Sequence, residues 1–144
     1  MLLHAKEYQD IANKLIDKFP VAFGHIMKDK VLYLKNTDKK TNKYADCRIV
    51  REPYTYMTDY KFIITFYEVN MLALTEAQKV MVVYHELLHI HEDFDKLVKH
   101  DLEDFLIICQ KYSPSWSIDP NLPNILEDED NPTPVVDEDE IDIL

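Results

Sequence analysis

Residues 85–89 read HELLH and match the pattern HExxH. On an α-helix, positions four apart lie on the same face, so His85 and His89 can bind one metal ion together. Glu86 lies beside them, where it can take a proton from a water that the metal activates. The pattern therefore predicts a helix here, carrying two metal ligands and a general base.

The flanking residues favour such a helix. Thr75 can act as its N-cap, and Gln78, three residues later, completes a capping box. Neither Gly nor Pro occurs between Glu76 and Ile90. Apolar residues recur at steps of three and four, which predicts one buried face. These residues are Ala77, Val80, Met81, Tyr84, Leu87 and Leu88.

A site built on two histidines needs a third protein ligand when one coordination position is left for water. On a straight helix, Glu92 would lie about 10 Å along the axis from His85, which is too far to share one metal. His91 would point roughly 200° away from His89. We therefore expect the third ligand to come from a segment that follows after the chain turns back.

His100 is the only histidine after position 91. An acidic stretch and then an apolar stretch follow it, which predicts a second helix starting near Val98. We expect His100 to be the third ligand, with Asp101 or Asp104 holding its other ring nitrogen. The alternative is that Glu103 or Asp104 is itself the ligand.

These residues carry a family resemblance over about residues 60–106. The HExxH helix, the eleven-residue step from His89 to His100, and the pair His100-Asp101 with Phe105 nearby resemble the phage metallopeptidase domain. They are also similar to the SprT-like and WLM zincins. The spacing to Phe105 is one residue longer than in the WLM pattern. No Gly follows the HExxH helix, so its exit differs from that of metzincins.

The resemblance implies a minimal zincin-like α+β fold with a small, mostly antiparallel sheet. It implies an N-terminal helix, an HExxH active-site helix and a following helix. It also implies that the strand before the active-site helix borders the cleft, and that an extended substrate pairs with an exposed strand edge. Strand addition of this kind is a general mode of peptide binding, but the sequence does not identify the edge strand.

The rest of the chain predicts a scaffold for this site. Apolar residues at helical spacing over 5–19, followed by Pro20, predict an N-terminal helix. Strands are expected over 31–35, 46–52 and 60–69, the last being dense in aromatic and β-branched residues. A helix, then strands, then two helices is an α+β order, and 144 residues suit one domain.

Charge divides the chain into two parts. Residues 119–144 hold ten of the 27 acidic residues, four of the prolines and no basic residue. We expect a zincin-like domain over 1–118, a segment at 119–126 packed on it, and an acidic, disordered tail at 127–144. The tail is interpreted as a solubilising segment or as a docking site for a protein partner. The net charge of −11 argues against direct binding of nucleic acid.

Other residues allow structural and functional interpretations. Four tyrosines before the motif can pack in strands or stabilise an oxyanion; they are Tyr54, Tyr56, Tyr60 and Tyr67. Cys47 and Cys109 form no CxxC pair, and without a signal peptide we expect reduced thiols in the cytoplasm. For a phage-encoded chain, this would be the host cytoplasm. No apolar run of eighteen residues occurs, so no membrane span is expected.

Together these patterns predict a zinc-dependent metallopeptidase that hydrolyses protein or peptide substrates. His85, His89 and His100 would bind Zn²⁺, and Glu86 would act as the general base. The alternative is a non-catalytic or structural-zinc interaction protein that acts through its acidic C-terminal tail. A hydrolase of non-peptide amides also stays open, because the motif specifies water activation and not the acyl group.

Overall fold

A computed structural model describes residues 1–38, 41–99, 108, 116–118 and 120–127 of the chain. Its helices and strands follow an α+β order. In chain order they are β1 (Leu2–His4), α1 (Lys6–Lys18), α2 (Pro20–Phe23), β2 (Val31–Asn36), β3 (Ala45–Ile49), β4 (Phe62–Tyr67), α3 (Glu68–Met71) and α4 (Glu76–Leu88).

The four strands form one mixed sheet in the order β1-β2-β4-β3. The β2–β4 pair is parallel, and the other two pairs are antiparallel. The small, mostly antiparallel sheet expected from the sequence is therefore confirmed. In the sheet formed by the described residues, β1 and β3 are the edge strands.

The core lies between this sheet and the helices. Phe62, Ile64 and Phe66 alternate along β4 and are fully buried, as expected when one face of a strand packs on helices. The ring of Tyr8, from α1, stacks on Phe66 with centroids 4.3 Å apart. Phe23 packs edge-on against Tyr84 of α4 at 5.2 Å, so both long helices contribute to this core.

The N-terminal helix and the last strand were predicted with small errors at their ends. The helix expected over 5–19 forms as α1, and Pro20 begins the separate short helix α2. The strand expected over 60–69 ends at Tyr67, because the chain enters α3 at Glu68. Val69, expected in the strand, lies in that helix and is 56% exposed.

Helix α4 begins as the sequence predicts. The hydroxyl of Thr75 accepts from the backbone N–H of Gln78 at 3.2 Å, and the amide oxygen of Gln78 accepts from the Thr75 N–H at 2.8 Å. This capping box satisfies two N–H groups at the helix start. The helix ends at Leu88, and the chain turns so that Ile90 pairs with Leu97.

The C-terminal part of the described chain returns to the domain. Leu122 and Ile125 are buried in the same core as the sheet and helices. The Nζ of Lys18 donates to the Ile125 carbonyl at 2.6 Å, which fastens this segment to α1. Val98 is not helical, and the second helix expected to start there lies largely outside the described residues, as does the tail after residue 127. None of the described helices is both long and apolar enough to cross a membrane.

Candidate metal centre

Helix α4 brings the three motif side chains together. Ligand atoms of His85, Glu86 and His89 all lie within 4.8 Å of one another. The two imidazole centroids are 5.2 Å apart, as expected for one turn of helix. Both rings are half-buried, while Glu86 is only 5% exposed. The site is therefore set into the surface, with its carboxylate on the inner side.

The ring of His89 is oriented by the backbone of the segment that follows the helix. Its Nδ1 lies 2.7 Å from the carbonyl oxygen of Val98. The Val98 N–H donates to the His89 carbonyl at 2.6 Å, so two hydrogen bonds, one donated by each residue, join His89 and Val98. A neutral imidazole that donates from Nδ1 keeps its lone pair on Nε2. This leaves Nε2 as the ligand atom, and such an outer contact is typical of metal-binding histidines.

The residues of this centre fit a metal ion. Two imidazoles one helical turn apart form a donor set suited to Zn²⁺ and other first-row transition metals. The hydrogen bond from His89 to Val98 fixes a tautomer that can bind such an ion. His85 and His89 are the residues that would hold the metal, and Glu86 stands beside them as the carboxylate.

The negative charge of Glu86 affects the pKa of side chains on the neighbouring strands β3 and β4. Burial raises the pKa of the Cys47 thiol on β3 well above its ordinary value, and the charges of Glu86 and Asp46 raise it further. A hydrogen bond to Asp46 raises the pKa of Tyr67, with burial and nearby charges, including Glu86, adding to the effect. The edge strand β3 therefore lies within electrostatic range of the candidate general base.

The residues considered as a third ligand lie in different places. His100 lies outside the described residues, as do Asp101, Glu103 and Asp104. Glu92 is exposed in the turn after α4. Glu92 does not lie on a straight continuation of α4, because the helix ends at Leu88.

His91 belongs to a separate group of possible metal ligands on that turn, together with Asp93 and Asp95. Its Nδ1 accepts from the Asp93 N–H at 3.0 Å. Both aspartates are exposed, and exposed acidic groups of this kind are common without a bound ion. Among the described residues, the group around the motif thus contains neither His91 nor Glu92.

The four candidate tyrosines also separate. Tyr54 and Tyr56 lie on the loop between β3 and β4, where they are 62% and 82% exposed. Tyr60 ends that loop and is half-buried. Tyr67 is buried in β4, and its hydroxyl donates to Asp46 at 2.5 Å. The structure thus favours a structural interpretation of Tyr67.

Two neighbours of the site were not found from the sequence. One is the Val98 carbonyl, a backbone group that no side-chain pattern marks. The other is Trp116, whose ring centroid lies 6.3 Å from that of His85. Trp116 follows a polar stretch and belongs to no periodic pattern, so the sequence does not indicate this contact. The contact joins two residues that are distant in sequence.

An HExxH helix packed beside a small mixed sheet is the arrangement of a small zincin-like metalloprotein with an α+β fold.

The chain belongs to the family described as Putative phage metallopeptidase, whose model matches residues 1–127. No curated protein and no solved structure matches the chain. Membership supports a phage hydrolase of the metallopeptidase type, which uses a metal ion and acts on proteins or peptides. The match also extends beyond residues 60–106, where the motif carried the resemblance.

Proposed function

We propose that this chain is a zinc-dependent peptidase in which His85, His89 and His100 hold Zn²⁺ and Glu86 is the general base. The observation that carries the proposal is the oriented His89 ring, whose Nδ1 is fixed 2.7 Å from the Val98 carbonyl within a group of three clustered ligand residues. Assigning the third position to His100 rests on sequence spacing and on the family resemblance.

The reaction needs one proton to be moved twice. When bound, Zn²⁺ supplies Lewis-acid polarisation of the scissile carbonyl and makes water more acidic. Glu86 takes the proton of the attacking water as the C–O bond forms. It then delivers that proton to the leaving amine as the C–N bond breaks. The near-complete burial of Glu86 keeps its carboxylate on the inner wall of the site.

The substrate would lie along β3. This strand contacts α4 and pairs only with β4 in the described sheet, so its other edge faces outward. Cys47, at the middle of β3, is the residue whose thiol responds to the charge of Glu86. An extended peptide added to this edge would therefore run beside the catalytic carboxylate.

The register identifies which groups of β3 face outward. The Tyr67 N–H donates to the Tyr44 carbonyl, and the Val50 N–H donates to the Lys61 carbonyl. Since hydrogen-bonded and non-bonded pairs alternate along an antiparallel ladder, the even-numbered residues of β3 face β4. The backbone groups of Ala45, Cys47 and Ile49 then face outward, where a substrate backbone could bind them.

The decisive experiment compares metal content with peptide hydrolysis in two variants. Glu86→Gln is expected to keep zinc and lose turnover, because the amide cannot accept the proton. His100→Ala is expected to lose zinc; full occupancy would instead assign the third position to a carboxylate. If Glu86→Gln cleaved a peptide as fast as the parent, the assigned base would be wrong.

A truncation separates the proposal from the interaction-protein alternative. Removing residues 128–144 is expected to leave hydrolysis unchanged, because the family match ends at residue 127. A parent protein that holds zinc but hydrolyses no peptide, and that loses a binding partner on truncation, would favour the alternative.

The β3 edge can be tested with a proline. Cys47→Pro removes an outward N–H, which an edge strand tolerates, and is expected to lower kcat/KM for peptides. Cys47→Ala is the matched control, because it changes the same side chain and keeps the N–H. Equal kcat/KM in the two variants, with equal thermal stability, would exclude pairing at this position.

A further inference from the structure

Trp116 packs beside one of the two motif histidines. It is the only tryptophan of the chain and is 7% exposed. Its ring centroid lies 6.3 Å from that of His85, with the two planes inclined at 40°. At this separation the indole forms a wall next to the imidazole, which restricts the orientations that the histidine ring can adopt.

The backbone around Trp116 is fastened to α4. The Nε2 of Gln78 donates to the Ser117 carbonyl at 2.9 Å, one residue after the tryptophan. Gln78 is 5% exposed, and its oxygen already serves the capping box with Thr75. The Gln78 side chain thus caps the start of α4 and also binds the segment that contains Trp116.

The same segment is fastened a second time further along. Leu122 and Ile125 are buried in the core, and Lys18 donates to the Ile125 carbonyl at 2.6 Å. The described residues 116–118 and 120–127 are therefore attached to both long helices, through Ser117 and Ile125. These contacts set the position of Trp116 next to His85, although Trp116 lies 27 residues after His89, the last residue of the motif.

We propose that Trp116 is a positioning residue for His85, and that the Gln78–Ser117 hydrogen bond holds it in place. The inference rests on the proposed metal site and deepens it. A ligand ring whose rotamer is locked by packing binds a metal without first having to be ordered. The segment at 116–126 is then part of the metal site and not only a cover over the core.

The first test measures Co²⁺ binding by its visible absorption in the parent, Trp116→Phe and Trp116→Ala. Trp116→Ala is expected to bind Co²⁺ about tenfold more weakly, the lower end of the loss seen when outer contacts of a metal ligand are removed. Trp116→Phe keeps an aromatic wall and is expected to restore most of the affinity. Thermal unfolding of the metal-free proteins shows whether the fold is retained.

Tryptophan fluorescence gives an independent readout in the parent. Because the chain has one tryptophan, all indole emission comes from position 116. Bound Co²⁺ is expected to quench this emission strongly, since its partly filled d shell accepts energy over short distances. The quenching should follow the same binding curve as the visible absorption.

The hydrogen bond to Ser117 is tested with a matched pair of variants. Gln78→Glu keeps the oxygen that the capping box needs and removes the N–H₂ that reaches Ser117. It is expected to shift Trp116 emission to longer wavelength and to weaken Co²⁺ binding. Thr75→Ala removes the capping box and leaves the amide in place, so it is expected to lower stability without either effect.

The outcomes separate this inference from the proposed function. A parent that binds no Co²⁺ overturns both. A parent that binds Co²⁺, with a folded Trp116→Ala variant of equal affinity, overturns only the role of Trp116. If Trp116→Ala does not fold, the decision passes to Gln78→Glu, and unchanged emission and affinity in that variant overturn the inference.

Discussion

The hydroxyl of Tyr67 donates a 2.5 Å hydrogen bond to the Oδ2 of Asp46, which joins β4 to the edge strand β3. The two residues are diagonal neighbours in the ladder, because Asp46 is paired with Thr65. Tyr67 is 4% exposed and the Asp46 side chain is 15% exposed, so the bond is partly buried. It fixes β3 at the place where the strand approaches α4 and the candidate metal centre.

Asp46→Asn is expected to lower the pKa of Tyr67. The pKa is raised first by the hydrogen bond to Asp46, and the ordinary value is 10.0. A group whose pKa is higher in the folded protein than in the unfolded chain stabilises the fold at a pH below its unfolded-state pKa. This contribution to stability is lost as the pH rises through the folded-state pKa. The parent should thus lose more stability above pH 10 than the variant does. Urea unfolding between about pH 8 and 11 measures this, and identical pH profiles would contradict it.

An ion pair between strand β2 and helix α1 predicts a dependence on acid pH. The Nζ of Lys35 lies 3.0 Å from the Oε1 of Glu7. Burial raises the pKa of Glu7. The hydrogen bond from Lys35, a hydrogen bond to the backbone of Glu7 and the charges of Lys35 and His4 together outweigh it, so the pKa lies below its ordinary 4.5. A carboxyl group whose pKa is lower in the folded protein than in the unfolded chain stabilises the fold at a pH above its unfolded-state pKa. This contribution to stability is lost as the pH falls through the folded-state pKa.

Lys35→Met is therefore expected to lose less stability than the parent between about pH 5 and 3. Because the Glu7 side chain is half exposed, the difference should stay within about 1 kcal/mol. Chemical unfolding at a series of pH values measures it. Lys6→Met is the control, since the ion pair of Lys6 among the described residues is an exposed one, with Asp10 at 3.4 Å. An equal change in the two variants would assign the effect to general charge.

The part of the site that was predictable from sequence is the part built by local geometry. The i and i+4 spacing of His85 and His89 placed both rings on one face, and the residue types at Thr75 and Gln78 were enough to place the start of the helix. These relations depend on helix periodicity and on hydrogen bonds between near neighbours.

The rest of the site depends on how the chain returns to itself. The helix ends at Leu88, and the chain then turns so that Ile90 pairs with Leu97. The order of the strands, with β3 outside β4, and the contact of Trp116 with His85 are also long-range. No periodicity within a short stretch of sequence encodes them.

Phe23→Ala tests the packing that supports the start of the motif. Phe23 is fully buried and meets Tyr84 edge-on at 5.2 Å. Removing the ring leaves a cavity next to the residue that precedes His85, so we expect a loss of about 3–5 kcal/mol in the free energy of unfolding. Val21→Ala is the matched control: Val21 is 83% exposed in the same short helix, and its loss should stay within about 0.5 kcal/mol. A small loss for Phe23→Ala would mean that the site collapses to fill the space.

Zinc is expected to stabilise the folded chain through His85 and His89. A ligand that binds only the folded state stabilises it by about 2.7 kcal/mol at a concentration one hundred times its Kd. Thermal unfolding should therefore shift upward with added Zn²⁺ and return with a chelator. His85→Ala is expected to abolish the shift, since it removes one of the two proposed ligands on the same helix face. His4→Ala should keep it, because His4 is exposed on the edge strand β1. If zinc still raised the unfolding temperature of His85→Ala, the stabilising ion would bind elsewhere. The turn that contains His91 would then be the next candidate site.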